Sequence, residues 1–225
     1  MFEAQLAENK LSLIGRAVFL ISGGIDSPVA ASMLIRKGVA PIFAYFDSYP
    51  LCDQAAESIA VDAIRRVCSY HNVNPIIIYS IPHSPDLQDI VTKCPEKFAC
   101  ILSRRLMFRI TEKIALHEKC SAIVTGDAIG QKASQTLQNI TATDCVLENV
   151  AILRPLMGMN KLQIEQYAKR LGTYEISIRP GVATCGVPTQ NPSTNARKIK
   201  LEEVEANLDI KSMVQRGFDN RRRIS

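Results

Sequence analysis

Ser22-Gly23-Gly24-Ile25-Asp26-Ser27 stands between the apolar run Ala17-Val18-Phe19-Leu20-Ile21 and an apolar-periodic segment over residues 28–37. That order predicts a buried strand, a tight glycine turn and the start of a helix. Adjacent glycines let the backbone bend sharply and approach a ligand with no Cβ in the way. The N–H groups and positive end of the following helix favour a phosphate there. Ser22 and Ser27 add hydroxyl donors, and Asp26 either caps the helix or holds a metal ion that neutralises phosphates. The stretch is neither G-x-x-x-x-G-K-[ST], since it has no lysine, nor G-x-G-x-x-G. Its five fixed residues, S-G-G-x-D-S, recur by chance on the order of once in a million positions at about 7% for each common residue.

With 225 residues, 47% of them hydrophobic and 22% charged, the chain has the make-up of a soluble globular protein able to bury a proper core. The net charge of +5 is compatible with RNA or a nucleotide as partner, and equally with a solvated surface. The opening residues lack a basic stretch followed by an apolar one, and the longest strongly apolar runs, such as residues 39–46, are too short to span a bilayer. A cytoplasmic protein without membrane contact is therefore expected. Seven scattered cysteines without a C-x-x-C pair exclude a disulfide scaffold and a zinc finger, and leave no metal-ligand set.

Strands are predicted over residues 18–21, 39–46, 76–79, 122–124 and 152–153. Helices are predicted over residues 27–37, 53–70, 98–118, 161–170 and 201–208. Residues 81–96, with Pro82, Pro85 and Pro95, read as loop; 174–178 as a last strand or extended arm; 179–195 as irregular. Alternating strands and helices imply an α/β fold, a doubly wound parallel sheet with right-handed crossovers. Ligands bind such sheets beyond the carboxyl ends of the strands. The motifs gather there: residues 22–27, Tyr45-Phe46, and residues 125–131. The expected organisation is a lead-in over residues 1–16, a nucleotide-binding domain over 17–195, and a C-terminal helix with a basic tail over 196–225. The tail's Arg221-Arg222-Arg223 reads as an RNA phosphate contact or as a disordered end.

The loop resembles that of the N-type ATP pyrophosphatases, which split ATP between its α and β phosphates. Further stretches narrow this: SRRLMFRITEKIA (103–115), AIVTGDAIGQKASQTLQNI (122–140), ILRPLMGMNK (152–161), LGTYEISIRP (171–180) and CGVPTQNP (185–192). Their order and spacing are similar to the pyrophosphate-loop domain of the tRNA 4-thiouridine synthetase/thiamine biosynthesis sulfurtransferase family. The resemblance implies an adenine-nucleotide α-hydrolase-like fold and an enzyme that uses ATP and Mg²⁺. It would adenylate the C4 oxygen of a tRNA uridine, release pyrophosphate, and deliver sulfur from a cysteine persulfide to give 4-thiouridine. A thiamine-pathway protein is the alternative acceptor. The resemblance places Leu20 and Ile21 beside the adenosine, and Ser22, Gly23, Gly24, Asp26 and Ser27 on the phosphates. It puts backbone groups of Tyr45 and Phe46 at the adenine edge, Arg104 on the phosphate side, and Gly126 and Gln135 on the opposite wall. Cys185 would carry the sulfur. Without the resemblance, Arg104 and Gln135 read as exposed helix residues, Gly126 as a turn, and Cys185 as a small buried apolar residue.

Three departures shape further expectations. The first strand comes almost at once, so a separate RNA-binding subunit is expected to deliver tRNA. With no rhodanese-like segment after the domain, sulfur is expected from sulfide or a cysteine desulfurase persulfide. Some archaeal members hold an iron–sulfur cluster on a C-x-x-C pair and the loop cysteine; here Cys100-Ile101-Leu102-Ser103 has a hydroxyl at the second position, and a cluster needs another thiolate such as Cys94. The alternative is a Cys100/Cys185 pair in which one carries the persulfide and the other resolves it. Two other functions stay open: an ammonia-dependent adenylating amide ligase, and a non-catalytic ATP-binding partner subunit. So does the oligomeric state, with a homodimer among the expectations.

Overall fold

The computed structural model describes residues 14–132, 135–181 and 191–224. Their strands form a six-stranded sheet in the order β5-β4-β1-β2-β3-β6. β1 (Gly15–Leu20), β2 (Val39–Asp47), β3 (Ile78–Pro82), β4 (Ala122–Val124) and β5 (Ala151–Leu153) are parallel, and β6 (Arg222–Ile224) runs antiparallel at the edge. The chain winds outward through β1, β2 and β3, then crosses back to place β4 on the other flank of β1. The register Val18↔Ile42 and Val18↔Ile123 makes β1 the centre. Strand order therefore reverses between β1 and β4, and a crevice opens beyond their carboxyl ends.

Both faces of the sheet are covered, which is why β1 and β2 read as nearly continuous apolar runs. Alternate side chains serve separate cores. Ala17, Phe19, Phe43 and Tyr45 pack on α1 (Asp26–Ile35), α2 (Ala56–His71) and α6 (Lys161–Leu171). Val18, Ile42, Ala44 and Ile81 pack beneath α3 (Ser84–Lys93) and α4 (Ala99–His117). α5 (Leu137–Asp144), α8 (Lys198–Glu205) and α9 (Ile210–Asp219) share this second core through Ala142, Leu201, Val204 and Met213. Among the described residues no helix is long and apolar enough to cross a membrane.

Several expectations need correction. Residues 84–93 are helical rather than loop: Pro85 sits in the first turn of α3, where its missing N–H costs nothing, while Leu87 and Ile90 face the core. Residues 174–177 form a short helix, α7 (Tyr174–Ser177), rather than a strand or arm. Gly172 at φ +77° ends α6, and Lys169 lies over the Tyr174 ring, folding the chain back. The strand expected from residue 18 begins at Gly15, inside the predicted lead-in. The basic tail is neither free nor disordered. Arg222 pairs with Glu57, Arg221 stacks on Phe218 at 3.7 Å, and β6 closes the β3 edge. α5 and α9 were not expected at all, although Thr136 and Asp209 cap them by accepting from Asn139 N and Ser212 N.

Candidate active site

The crevice is built from chain that leaves β1 and β4. After Leu20 the backbone turns through Ile21, whose N–H donates to Ala44 O at 3.0 Å, and then through Gly23 at φ +76°. Ser22 is exposed; its N–H donates to Ser27 Oγ at 3.1 Å, and the two hydroxyls lie 3.4 Å apart. No side chain caps α1, so Asp26 does not serve as the helix cap. Its carboxylate instead accepts from Lys161 Nζ at 2.8 Å across the mouth.

Beyond β4, Gly126 presses against the start of α1. A Cβ there would stand 2.7 Å from the N and Cα of Ser27 and 2.9 Å from the carbonyl carbon of Asp26. Ordinary contacts start near 3.4 Å, so only glycine brings the two loops this close.

Asp127 follows, buried, and organises the wall. Its carboxylate accepts from Thr125 Oγ1 at 2.8 Å, Arg154 Nε at 3.1 Å, Gln135 Nε2 at 3.4 Å, and Arg104 Nη2. Burial opposes its charge, but Arg104, Thr125 and Arg154 outweigh burial and hold its pKa below the usual carboxylate range. Arg154 also pairs with Asp144, while Arg104 lies over the Phe108 ring at 5.0 Å. Gln135 is buried, with Oε1 unpartnered. An orphaned acceptor in a polar wall suits a ligand that brings a donor.

The expected site residues thus divide. Ser22, Gly23, Gly24, Asp26, Ser27 and Gly126 meet at one corner, and Asp127 links Gln135 to Arg104 beside it. Leu20 and Ile21 lead into the corner from β1. Tyr45 and Phe46 do not offer their rings to it. Tyr45 is 1% exposed in the first core, where burial, then nearby Cys52 and acidic neighbours, push its phenol pKa up. Phe46 sits edge-on to His83 at 5.3 Å. Only backbone is left there for a ligand. Cys100 lies in the first turn of α4, partly buried. Cys185 lies outside the described residues. Its described neighbours are fixed on two sides: Gly181 against Asp53, and Ser193, whose N–H donates to Lys97 O at 2.9 Å.

Asp127, Arg154 and Lys161 had no role in the sequence reading. All three follow the carboxyl ends of β4 and β5, and that placement was the available signal. Ser103, where a cluster thiolate would stand, is 4% exposed and shares a 2.9 Å hydrogen bond with His83 Nε2. Cys94 is buried in the second core with Sγ toward Val204 O. Among the described residues no three His, Cys, Asp or Glu side chains gather as a metal site. Three residues after Cys100, α4 thus offers a buried hydroxyl rather than a thiolate, and Cys185 lies outside the described residues.

Sheet order, glycine loop and switch-point crevice define a nucleotide-binding α/β domain of the pyrophosphate-loop ATP pyrophosphatase fold. Residues 13–210 match the family described as Thiamine biosynthesis protein (ThiI), and the chain belongs to it. A "Probable tRNA sulfurtransferase" of Finegoldia magna is 40% identical over 207 residues, 92% of this chain and 52% of that protein. One from Methanosarcina mazei is 36% identical over 204 residues, 91% of this chain and 50% of that protein. The chain spans about half the length of the curated relatives it matches. A crystal structure of "a 4-thiouridine synthetase - RNA complex with bound ATP" superposes with TM-score 0.88 at 35% identity, covering 93% of this chain and 55% of that one. NMN synthetase from Francisella tularensis shares the fold, with TM-score 0.56 at 16% identity, 95% of this chain and 83% of that one.

Proposed function

We propose that this chain is the adenylating domain of an ATP-dependent tRNA sulfurtransferase making 4-thiouridine. The observation that carries the reading is the contact of residues 22–27 with Gly126 at the switch point, with Lys161 and Arg104 on either side. Family membership and the likeness to an ATP-bound 4-thiouridine synthetase support it.

ATP and the tRNA uridine are substrates. The loop amides and the hydroxyls of Ser22 and Ser27 hold phosphate oxygens, and backbone beside Leu20, Ile21, Tyr45 and Phe46 meets the adenosine. Arg104, held by Asp127, and Lys161 neutralise charge that develops on the phosphates. Asp26, an oxygen ligand on the loop, would hold Mg²⁺, which would supply charge neutralisation to the phosphates. The uridine O4 attacks the α-phosphorus, the bond to the β-phosphate oxygen breaks, and pyrophosphate leaves. An amide-like oxygen is thereby converted into AMP, a competent leaving group. The terminal sulfur of a Cys185 persulfide then attacks C4, the C4–O bond breaks, and AMP departs. Attack of the Cys100 thiolate on the Cys185 sulfur forms a disulfide and releases the thiolated base; a dithiol reductant restores both cysteines. Sulfide attacking Cys185 Sγ of that disulfide, before any reduction, regenerates the Cys185 persulfide and frees the Cys100 thiolate; after reduction, a desulfurase persulfide passes its outer sulfur to the Cys185 thiolate and is left as a thiolate. No step passes through a cluster.

Anaerobic incubation of the protein, with its Cys100–Cys185 disulfide formed beforehand, with ATP, Mg²⁺, sulfide and bulk tRNA, followed by nucleoside mass spectrometry, tests this. The expected product is 4-thiouridine. Cys185→Ser should release pyrophosphate yet give under about 1% of the thiolated product, as loss of a covalent nucleophile predicts. Wild-type thiolation by that variant would remove Cys185 from the reaction.

A further inference from the structure

Toward the amino ends of the strands, away from the crevice, the carboxyl ends of α1, α2 and α6 converge on a cavity of about 100 Å³, lined by Arg36, Tyr70, Tyr167, Arg170 and Leu171. At roughly 30 Å³ per water it holds about three waters, the scale of one phosphate group. A shallower depression continues from it along Gln166, Lys169 and Arg170.

Cations at helix carboxyl ends usually complement the dipole, but the terminal carbonyls here are already engaged. Leu171 O accepts from Arg66 Nε at 2.8 Å. Ala168 O accepts from Thr173 N, Cys68 O from Val73 N, and Ile35 O from Gly38 N. Arg36 and Arg170 are exposed, and among the described residues no carboxylate stands in ion-pair range of either. Arg170 is propped on the Tyr167 ring at 5.4 Å, which fixes it at the cavity rim. The Arg36 charge is felt by its neighbours: burial first, and then Arg36, hold the His71 pKa below the usual imidazole value.

The cavity is also linked to the crevice. α6 begins with Lys161 on Asp26 and ends with Lys169 and Arg170 at the cavity. Its 11 residues span about 16 Å. A duplex carries roughly one negative charge per 1.7 Å of axis, so one lying along α6 with a base in the crevice brings backbone phosphates to the cavity.

We infer that the cleft between the carboxyl ends of α1, α2 and α6 binds a backbone phosphate of the RNA acceptor, gripped by Arg36 and Arg170 with the phenols of Tyr70 and Tyr167. This rests on the reading of tRNA as acceptor and extends it to a surface outside the crevice.

The test is fluorescence anisotropy of labelled tRNA binding to wild type and to Arg36→Ala/Arg170→Ala across a salt series. The double variant should bind about tenfold more weakly, and its log K against log salt slope should fall by about 1, the signature of lost phosphate contacts. Arg36→Lys/Arg170→Lys should recover most of the slope. ATP affinity, measured by titration calorimetry, should be equal in all three, which separates a local effect from misfolding. Unchanged affinity and slope in the double variant overturn the inference, as does the absence of wild-type tRNA binding. Binding of polyglutamate that depends on the same two arginines overturns it in favour of an acidic protein partner. If tRNA binding depends on Arg36 and Arg170 but no tRNA is thiolated, the cleft stands and the functional reading fails.

Discussion

Gly126 shows how one residue sets the chemistry. Its missing side chain lets the loop after β4 rest on the backbone of Asp26 and Ser27, with no more than 2.9 Å between the position of a Cβ and three backbone atoms. Backbone, unlike a side-chain tip, cannot swing away. Gly126→Ala should cost about 1–3 kcal/mol through overpacking. Because the displaced atoms belong to the loop proposed to hold the phosphates, it should also weaken ATP binding more than tenfold. Calorimetric titration with ATP and a thermal melt check both. A variant with wild-type affinity would mean that the two loops do not jointly form the nucleotide cradle. Asp127 illustrates the complementary case. It is too occupied by Arg104, Arg154, Thr125 and Gln135 to act as base or metal ligand, so its part is to aim Arg104.

At the scale of elements, α4 joins the site to the rest of the fold. Arg104 faces the crevice, and the next residue, Arg105, is 1% exposed and donates through Nε and Nη2 to Glu205 of α8 at 2.8 Å each. Arg109 adds two more bonds to the same carboxylate. Burial disfavours the Glu205 charge, but the hydrogen bonds from Arg105 and Arg109 outweigh it and hold its pKa below the usual range. A carboxylate depressed on folding stabilises the native state above its unfolded pKa and loses that contribution as pH falls through the folded one. Asp127 adds to the same trend. Stability should therefore be flat above about pH 5 and decline below about pH 4, near the unfolded carboxylate range. Glu205→Gln should lose about 3 kcal/mol at pH 7 by stranding a buried guanidinium, and should show a shallower acid decline. Urea midpoints at several pH values read both; an equally steep decline in the variant would remove Glu205 from the account.

α4 also shows what the sequence could and could not convey. Its length and apolar positions were legible from period alone, as were the buried strands and the glycine loop. The partner of Arg105 lies 100 residues away on α8, and no local pattern announces such a pair. α3 was hidden because prolines read as loop, although one in a first turn is compatible with a helix. β6 was hidden because three arginines read as an RNA contact or a disordered end, whereas two of them use an aromatic ring and Glu57 to settle on an open edge. The loop residues were legible because their chemistry is local. Lys161 was not, because its meeting with Asp26 spans 135 residues.

For the molecule as a whole, the two cores seat β1 and β4 side by side so that the crevice lies beyond their carboxyl ends, and α1 and α6, which start at the crevice, run to the basic cleft toward the amino ends of the strands. The proposed reaction in this crevice cleaves ATP between the α and β phosphates to adenylate RNA. The most direct measurement follows α-labelled ATP by chromatography during anaerobic turnover with tRNA and sulfide, counting AMP, pyrophosphate and 4-thiouridine together. The predicted result is one AMP and one pyrophosphate for each 4-thiouridine, and none of the three when Lys161→Ala and Asp26→Ala are combined. Formation of ADP and phosphate, or 4-thiouridine without matching AMP, would contradict it.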